Sequence, residues 1–205
     1  LITRADGTKF GKTASGQSVW LKAERTSPYR FFQFFFNTDD RDVIKYLKIF
    51  TFLDQQRVAE LEAAMLARPE EREAQRVLAR EATLILHGET ALAKAEQATQ
   101  ALFGGEIGGL SAAEIADIFS DVPSSELAKT ELQGGAMSIV DLLAQSSLVK
   151  SKGEARRALS EGGIYLNNHR VSDAARAVGT EDLLEGQFMI LRKGKKNYHL
   201  VKVLG

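Results

Sequence analysis

Lys9, Gly11, Lys12 and Thr13, inside the run TKFGKTASGQSVW at residues 8–20, have the residue types and spacing best suited to chemistry. Two lysines three apart straddle a glycine, and hydroxyl and glycine residues follow. Such a loop can bring two ammonium groups to one anionic ligand such as a phosphate. Spacing alone leaves a second reading open, an ordinary solvated Lys/Gly/Ser loop. A second set of cations lies late in the chain. Lys150, Lys152, Arg156 and Arg157 fall on or beside one short helix, where Lys152 and Arg156 share a face by i, i+4 spacing. Arg170, Arg192, Lys193, Lys195 and Lys196 extend the same surface in this reading. Taken singly each is solvated charge, and as a set they suit phosphate contacts made without sequence preference.

Composition excludes other chemistries. The absence of cysteine removes disulfides and thiolate metal sites. His87, His169 and His199 are scattered, with no i, i+4 pair, so no metal site is expected. No apolar run approaches the roughly 18 to 20 residues that span a bilayer, and a soluble, cytoplasmic protein without a membrane partner is expected. With 205 residues and 44% hydrophobic content, the chain can hold one domain or two small ones. The net charge of zero hides a division. Residues 1–53 carry net +4, residues 54–133 net −8 and residues 134–205 net +4. An acidic middle reads as a solvated helical scaffold between two basic ends.

These residues need elements to hold them. Ser27 and Pro28 read as an N-cap and a first helical proline, opening a helix through residue 36. Its five phenylalanines are too dense for one stripe, so most are expected in a core. After a polar break at residues 37–40, Val43, Ile44, Leu47 and Phe50 mark a second helix. Asp54 caps a third that ends before Pro69. Residues 70–86 make a fourth, stopped at Gly88, beside which His87 reads as a cap. Residues 90–103 make a fifth, and Ser111 with Glu114 is a capping box opening a sixth. Residues 120–135 (SDVPSSELAKTELQGG) have linker composition. Two further capping boxes, Ser138 with Asp141 and Ser151 with Glu154, open helices over 139–145 and 152–160. Residues 164–166 read as a strand, Asn167 and Asn168 as a left-handed turn, and residues 188–191 and 198–203 as a hairpin whose tip runs from Arg192 to Asn197. The fold class expected is α+β: a mostly helical bundle, then a small α+β domain of two short helices and a small, mainly antiparallel sheet.

With LITRADG before it, TSPY and an aromatic helix after it, the KFGKT run resembles the signature loop of bacterial tyrosyl-tRNA synthetases, class I enzymes. Thr13 stands where that loop usually ends in serine. The later SKGEARRALSEGGIYLNNHRV resembles the S-four-like RNA-binding domain, with Lys152 in place of an arginine and Asn168 in place of a turn glycine. The chain opens on Leu1 and contains no HIGH-type motif, so a C-terminal portion of a longer enzyme is expected. The resemblance implies four parts: residues 1–26, the tail of the catalytic domain with the loop; 27–119, a helical anticodon-binding domain; 120–135, a flexible linker; and 136–205, the S-four-like domain.

By the same resemblance, Lys9 and Lys12 are the catalytic cations of tyrosine activation, and Lys9, Gly11, Lys12 and Thr13 meet the phosphates of ATP, a substrate carried with Mg2+ by the full-length enzyme. Trp20 is assigned to packing against the catalytic domain. The basic residues from Lys150 to Lys196 grip the anticodon stem and long variable arm of tyrosine tRNA. Asp40 accepts from the Watson–Crick edge of guanine, the first anticodon base, although an N-cap role for it is equally open. The tyrosine and adenine half of the site is not in this sequence. The fragment is therefore expected to bind no cofactor, to be inactive alone and to be monomeric, whereas the full-length enzyme is a homodimer. The competing reading is a stand-alone S-four-like RNA-binding module without aminoacylation activity.

Overall fold

The Ser27 hydroxyl accepts from the Arg30 N–H at 3.2 Å and Pro28 occupies the first helical position, so helix α1 (Pro28–Phe36) starts where these two residues dictate. The computed structural model describes residues 2–13, 16–135 and 137–205. Leu1, at the expected start of the catalytic tail, Ala14 and Ser15 of the signature run, and Ala136, the expected start of the last domain, lie outside the described residues. The chain divides into two compact units, Leu1–Glu96 and Gln97–Gly205.

In the first unit α1 is followed by α2 (Asp40–Phe50), α3 (Gln55–Ala67) and most of α4 (Glu73–Ala101), whose last five residues belong to the second unit. Asp54 caps α3 as expected, accepting from the Arg57 N–H at 2.7 Å. Helix α4 begins three residues later than expected. Pro69–Glu71 form a 3-10 turn, and Arg72 adopts a left-handed conformation (φ 51°) that a continuous helix cannot contain. The expected stop at Gly88 appears as a break inside α4, where φ is 80° and ψ 174°. Phe31, Phe32 and Phe35 pack with Val43, Tyr46, Leu47, Leu61 and Leu78 into one core. Each large side chain removed from water there contributes about 2 kcal/mol.

The second unit holds α5 (Ala112–Ile118), α6 (Ile139–Gln145), α7 (Lys152–Ser160) and five strands, β1 (Ser124–Ala128), β2 (Ile164–Leu166), β3 (His169–Val171), β4 (Phe188–Lys193) and β5 (Asn197–Leu204). Ser111 and Glu114 form the reciprocal capping box of α5. Ser138 accepts from the Asp141 N–H at 3.1 Å, and Ser151 from the Glu154 N–H at 3.2 Å. The strand order is β1-β5-β4-β2-β3, with β1 parallel to β5 and every other pairing antiparallel. The stretch expected as a flexible linker thus carries an edge strand and a 3-10 turn (Lys129–Gly135). One side of β1 is paired with β5, which linker composition alone does not reveal.

Asn167 and Asn168 form the expected left-handed turn, with φ of 50° and 64°. Met189, Leu191, Val201 and Val203 join Leu142, Leu143, Leu159 and Ile164 in the core. Period-2 alternation turns Tyr198 to the opposite face of the sheet, where it meets Phe119 with ring centroids 5.6 Å apart. No helix among the described residues is long and apolar enough to cross a membrane.

Candidate phosphate loop and nucleic-acid interface

Between the two loop lysines, Phe10 points into the first unit's core. Its ring lies 4.9 Å from Phe50, 4.8 Å from Tyr46 and 5.2 Å from Phe34. The segment before it is tied to α2. Asp42, only 4% exposed, accepts from the Ala5 N–H at 2.8 Å; Tyr46 donates to the Thr3 carbonyl at 3.2 Å, and Lys45 donates to that same carbonyl. Burial raises the pKa of the Tyr46 phenol, which stays a neutral donor. Bridges Thr3 to Lys9 and Lys12 to Ser18 fix the backbone on either side of Gly11. Gly11 takes φ 105°, and beyond its two chain neighbours no atom of a described residue lies within 4 Å of where its Cβ would stand. Thr13 Oγ1 accepts from the Gln17 N–H at 3.1 Å, closing a turn. Lys9 and Lys12 are exposed, and neither forms an ion pair with a described residue. An anchored phenylalanine therefore holds two solvent-facing ammonium groups beside an open backbone, an arrangement able to meet a polyanion. The anchors Asp42, Lys45 and Tyr46 escaped sequence reading. Their i, i+3 and i+4 spacing on one helix face was the only local signal.

Asp39, not Asp40, caps α2. Its carboxylate accepts from the Arg41 N–H and from Nε and Nη2 of the same arginine, each at 2.9 Å, which lowers its pKa to about 2. The N-cap alternative considered for Asp40 is thereby corrected, since Asp40 is already the first helical residue. Asp40 is exposed, and its Oδ1 accepts from Nε2 of Gln75, a residue with 0% exposure. Arg72 donates to the Phe36 carbonyl at 2.7 Å and the Thr38 carbonyl at 3.4 Å. Neither Gln75 nor Arg72 was singled out from sequence.

The basic set of the second unit separates by environment. Lys150, Arg156 and Arg157 are exposed on or beside α7, and Lys195 and Lys196 are exposed in the β4–β5 turn, without an ion pair to a described residue. Lys152 pairs with Asp141 at 2.6 Å and Lys193 with Glu154 at 2.6 Å. Each lysine's hydrogen bond is the main cause of its partner's lowered pKa. Arg170 is exposed and donates to the Gly162 carbonyl at 3.0 Å. Its guanidinium covers that glycine so closely that a Cβ there would stand 1.6 Å from Nη2.

Arg192 departs from the expected tip position. It lies within β4, 7% exposed, with Cζ 3.7 Å from the Tyr165 ring centroid. Its Nε donates to Asn168 Oδ1 at 3.0 Å and its Nη1 to the Gly194 carbonyl at 2.7 Å. Asn168 in turn donates to the carbonyls of Ala101 and Gly105, at 2.8 and 2.9 Å. Arg192 is therefore a buried clasp, because strand register sets it opposite both Tyr165 and Tyr198.

His87 meets the Phe31 ring edge-on at 5.1 Å, and burial lowers its pKa. Trp20 is 48% exposed, with the Arg25 guanidinium 4.2 Å from its ring centroid. Among the described residues no three His, Cys, Asp or Glu side chains gather as metal ligands.

Comparison with known proteins covers nearly the whole chain. Residues 1–104 match the family model described as tRNA synthetases class I (W and Y), and residues 114–201 match the Tyrosine--tRNA ligase SYY-like C-terminal domain. The chain is 52% identical over 204 residues to Tyrosine--tRNA ligase of Roseiflexus castenholzii, covering 100% of this chain and 48% of that protein. It is 48% identical over 202 residues to Tyrosine--tRNA ligase of Geobacillus stearothermophilus, covering 98% of this chain and 47% of that protein. The chain thus spans about half the length of the curated relatives it matches. A solution structure of a tyrosyl-tRNA synthetase C-terminal domain is 39% identical, covers 50% of this chain and 99% of that one, and has a TM-score of 0.39.

Proposed function

The chain belongs to the tyrosyl-tRNA synthetase family of class I enzymes, and on that footing we propose that it is the signature-loop and tRNA-recognition part of a cytoplasmic tyrosine–tRNA ligase. In this reading residues 1–26 end the catalytic domain, 27–119 approach the anticodon, 120–135 join the domains while lending β1 to the last sheet, and 136–205 grip the tRNA. The full-length enzyme activates tyrosine with ATP, carried with Mg2+, and transfers it to tyrosine tRNA. It acts as a homodimer, and the fragment alone is monomeric.

The observation that carries this reading is the pair of exposed ammonium groups, Lys9 and Lys12, held on either side of the anchored Phe10. In activation a tyrosine carboxylate oxygen forms a bond to the α-phosphorus of ATP, the bond from that phosphorus to the bridging oxygen breaks, and pyrophosphate leaves with the electron pair. Charge grows on the phosphate oxygens, and positioned cations lower the barrier more than proton transfer does. Each lysine supplies about 3 kcal/mol, the scale of one preorganised electrostatic donor. Gly11 lets the backbone approach the phosphates, and the Thr13 hydroxyl stands beside them. Without the half that binds tyrosine and adenine, the fragment alone is inactive.

For RNA, Lys150, Arg156, Arg157, Lys195 and Lys196 contact phosphates of the anticodon stem and long variable arm. Lys152, Lys193 and Arg170 join them by exchanging present partners for phosphate. Such contacts position the tRNA more than they read it.

The test is a salt-dependent titration of the chain against tyrosine tRNA, the same tRNA with a shortened variable arm, and an unrelated tRNA. Tighter binding to the intact cognate, with a salt slope that flattens in Arg156→Ala and Arg157→Ala, is the expected result. Equal, weak binding to all three would leave a stand-alone RNA-binding module. Tyrosine-dependent ATP–pyrophosphate exchange by the 205-residue chain would overturn the division of the active site.

A further inference from the structure

We propose that Gln75 is the positioning residue that holds Asp40 ready to accept hydrogen bonds from a nucleobase carrying adjacent N–H donors, guanine being the base that fits. The inference rests on the tRNA-recognition reading and adds to it the residue that sets base specificity.

Two neighbouring carboxylates have divided their tasks. Asp39 is fully engaged by three donors of Arg41. Among the described residues Asp40 takes a single donor, Gln75 Nε2, on Oδ1, and its Oδ2 has no partner. A carboxylate has about four lone-pair sites, so both oxygens of Asp40 keep capacity while one bond restricts its rotamer.

Gln75 is poorly suited to any other purpose. It has 0% exposure in the first turn of α4, and its Oε1 is buried with no partner among the described residues. An orphaned buried carbonyl is costly, and a leucine of similar size would pack without that cost. What leucine cannot supply is the N–H that meets Asp40. The acceptor must be the carboxylate, so the amide is oriented with its NH2 group toward it. Arg72 completes the support: by holding the carbonyls of Phe36 and Thr38 it fixes the turn that leads into α2, whose first residue is Asp40.

A carboxylate so held presents two acceptors about as far apart as the N1–H and N2–H of guanine. Inosine lacks the second donor. Adenine sets its N1 acceptor against the negative charge, so the site rejects it as well as failing to bind it.

The experiment measures binding of the 205-residue chain to tyrosine anticodon stem–loops carrying guanine, inosine or adenine at the first anticodon position, at fixed salt. The wild-type chain is expected to prefer guanine by about tenfold or more. In Gln75→Leu the preference falls toward unity while affinity for the adenine loop and the salt slope stay unchanged. In Asp40→Asn the preference is lost, and adding Gln75→Leu changes nothing more. If Gln75→Leu does not fold, Gln75→Asn keeps a buried amide but withdraws its N–H from Asp40, and the preference must fall in the same way. An undiminished preference in the Gln75 variants, or an equal drop for all three loops, would overturn the role of Gln75. Equal wild-type affinity for the three loops, with intact tRNA still bound, would overturn base reading here and leave the proposed function standing. Failure to bind any tRNA would overturn both.

Discussion

Phe10 stacks on Phe50, ring centroids 4.9 Å apart at an interplanar angle of 24°. The residue between the two loop lysines is thus part of the first unit's core, and the loop's placement is bound to that unit's stability. Phe10→Ala is expected to cost about 2–3 kcal/mol, below the range for a fully buried phenylalanine because Phe10 is only half-buried. Phe10→Leu should lose less. Denaturant midpoints of the chain measure both, and an unchanged midpoint for Phe10→Ala would show that the loop has no anchor.

The lysines beside it should behave oppositely. Their ammonium groups pair with no described residue, so Lys9→Ala and Lys12→Ala leave the midpoint where it is. On the proposed function, each substitution in the full-length enzyme should slow tyrosine activation by about 10² to 10³, with tRNA affinity unchanged. Pyrophosphate exchange and filter binding on the same preparations separate the two effects. A loss under tenfold would remove that lysine from the activation step.

The contrast marks what a sequence can disclose. Helices α1, α6 and α7 were legible to the residue because Ser27 with Pro28, Ser138 and Ser151 are cap signals confined to one turn, although Ser138 and Ser151 cap one way only and the expected reciprocal boxes do not form, the Glu154 carboxylate accepting from the Lys150 N–H instead. Strand β1 was not. Its sequence, SSELA, buries only Leu127, and it pairs with β5, more than 70 residues away. Such pairing leaves no local mark. Among the site residues, the lysines were visible by type and spacing, whereas Gln75 reaches Asp40 only through the packing of α4 beside α2.

The burial of Arg192 is hidden from its local sequence for a related reason. In Arg-Lys-Gly-Lys-Lys every cation resembles hairpin-tip charge, but register sets Arg192 between two tyrosines. Arg192→Ala would leave Asn168 Oδ1 and the Gly194 carbonyl without this donor, at a cost of about 2–4 kcal/mol. Lysine should not rescue it, lacking the planar fork that stacks on Tyr165 while donating twice. Lys195→Ala and Lys196→Ala should leave stability intact and each lower the tRNA salt slope by about one. Thermal melting beside salt titration checks the division. A large stability loss in either lysine variant, or none in Arg192→Ala, would reverse it.

His199 gives the second unit a pH response. The ring is 3% exposed, with Nε2 2.9 Å from Ser125 Oγ on β1 and Nδ1 3.0 Å from Ser147 Oγ. The Ser147 N–H also points at Nδ1, at 3.4 Å, which makes Nδ1 the acceptor and leaves the proton on Nε2. Burial lowers the pKa of His199 below its ordinary value of 6.5. The folded state then binds fewer protons than the unfolded one, so this contribution is complete above about pH 6.5 and is lost as pH falls through the lower folded value. The carboxylates with lowered pKa, Asp6, Asp39, Asp141 and Glu154, act in the same direction but only in the more acidic carboxylate range. Denaturation of the isolated chain between pH 7.5 and about pH 5 therefore isolates the histidines, and His87, also lowered by burial, lies in the other unit. In His199→Gln the second unit's stability should lose most of its slope over that range while keeping polar contact with Ser125 and Ser147. A slope equal to that of the wild type would place the titrating group elsewhere in the unit.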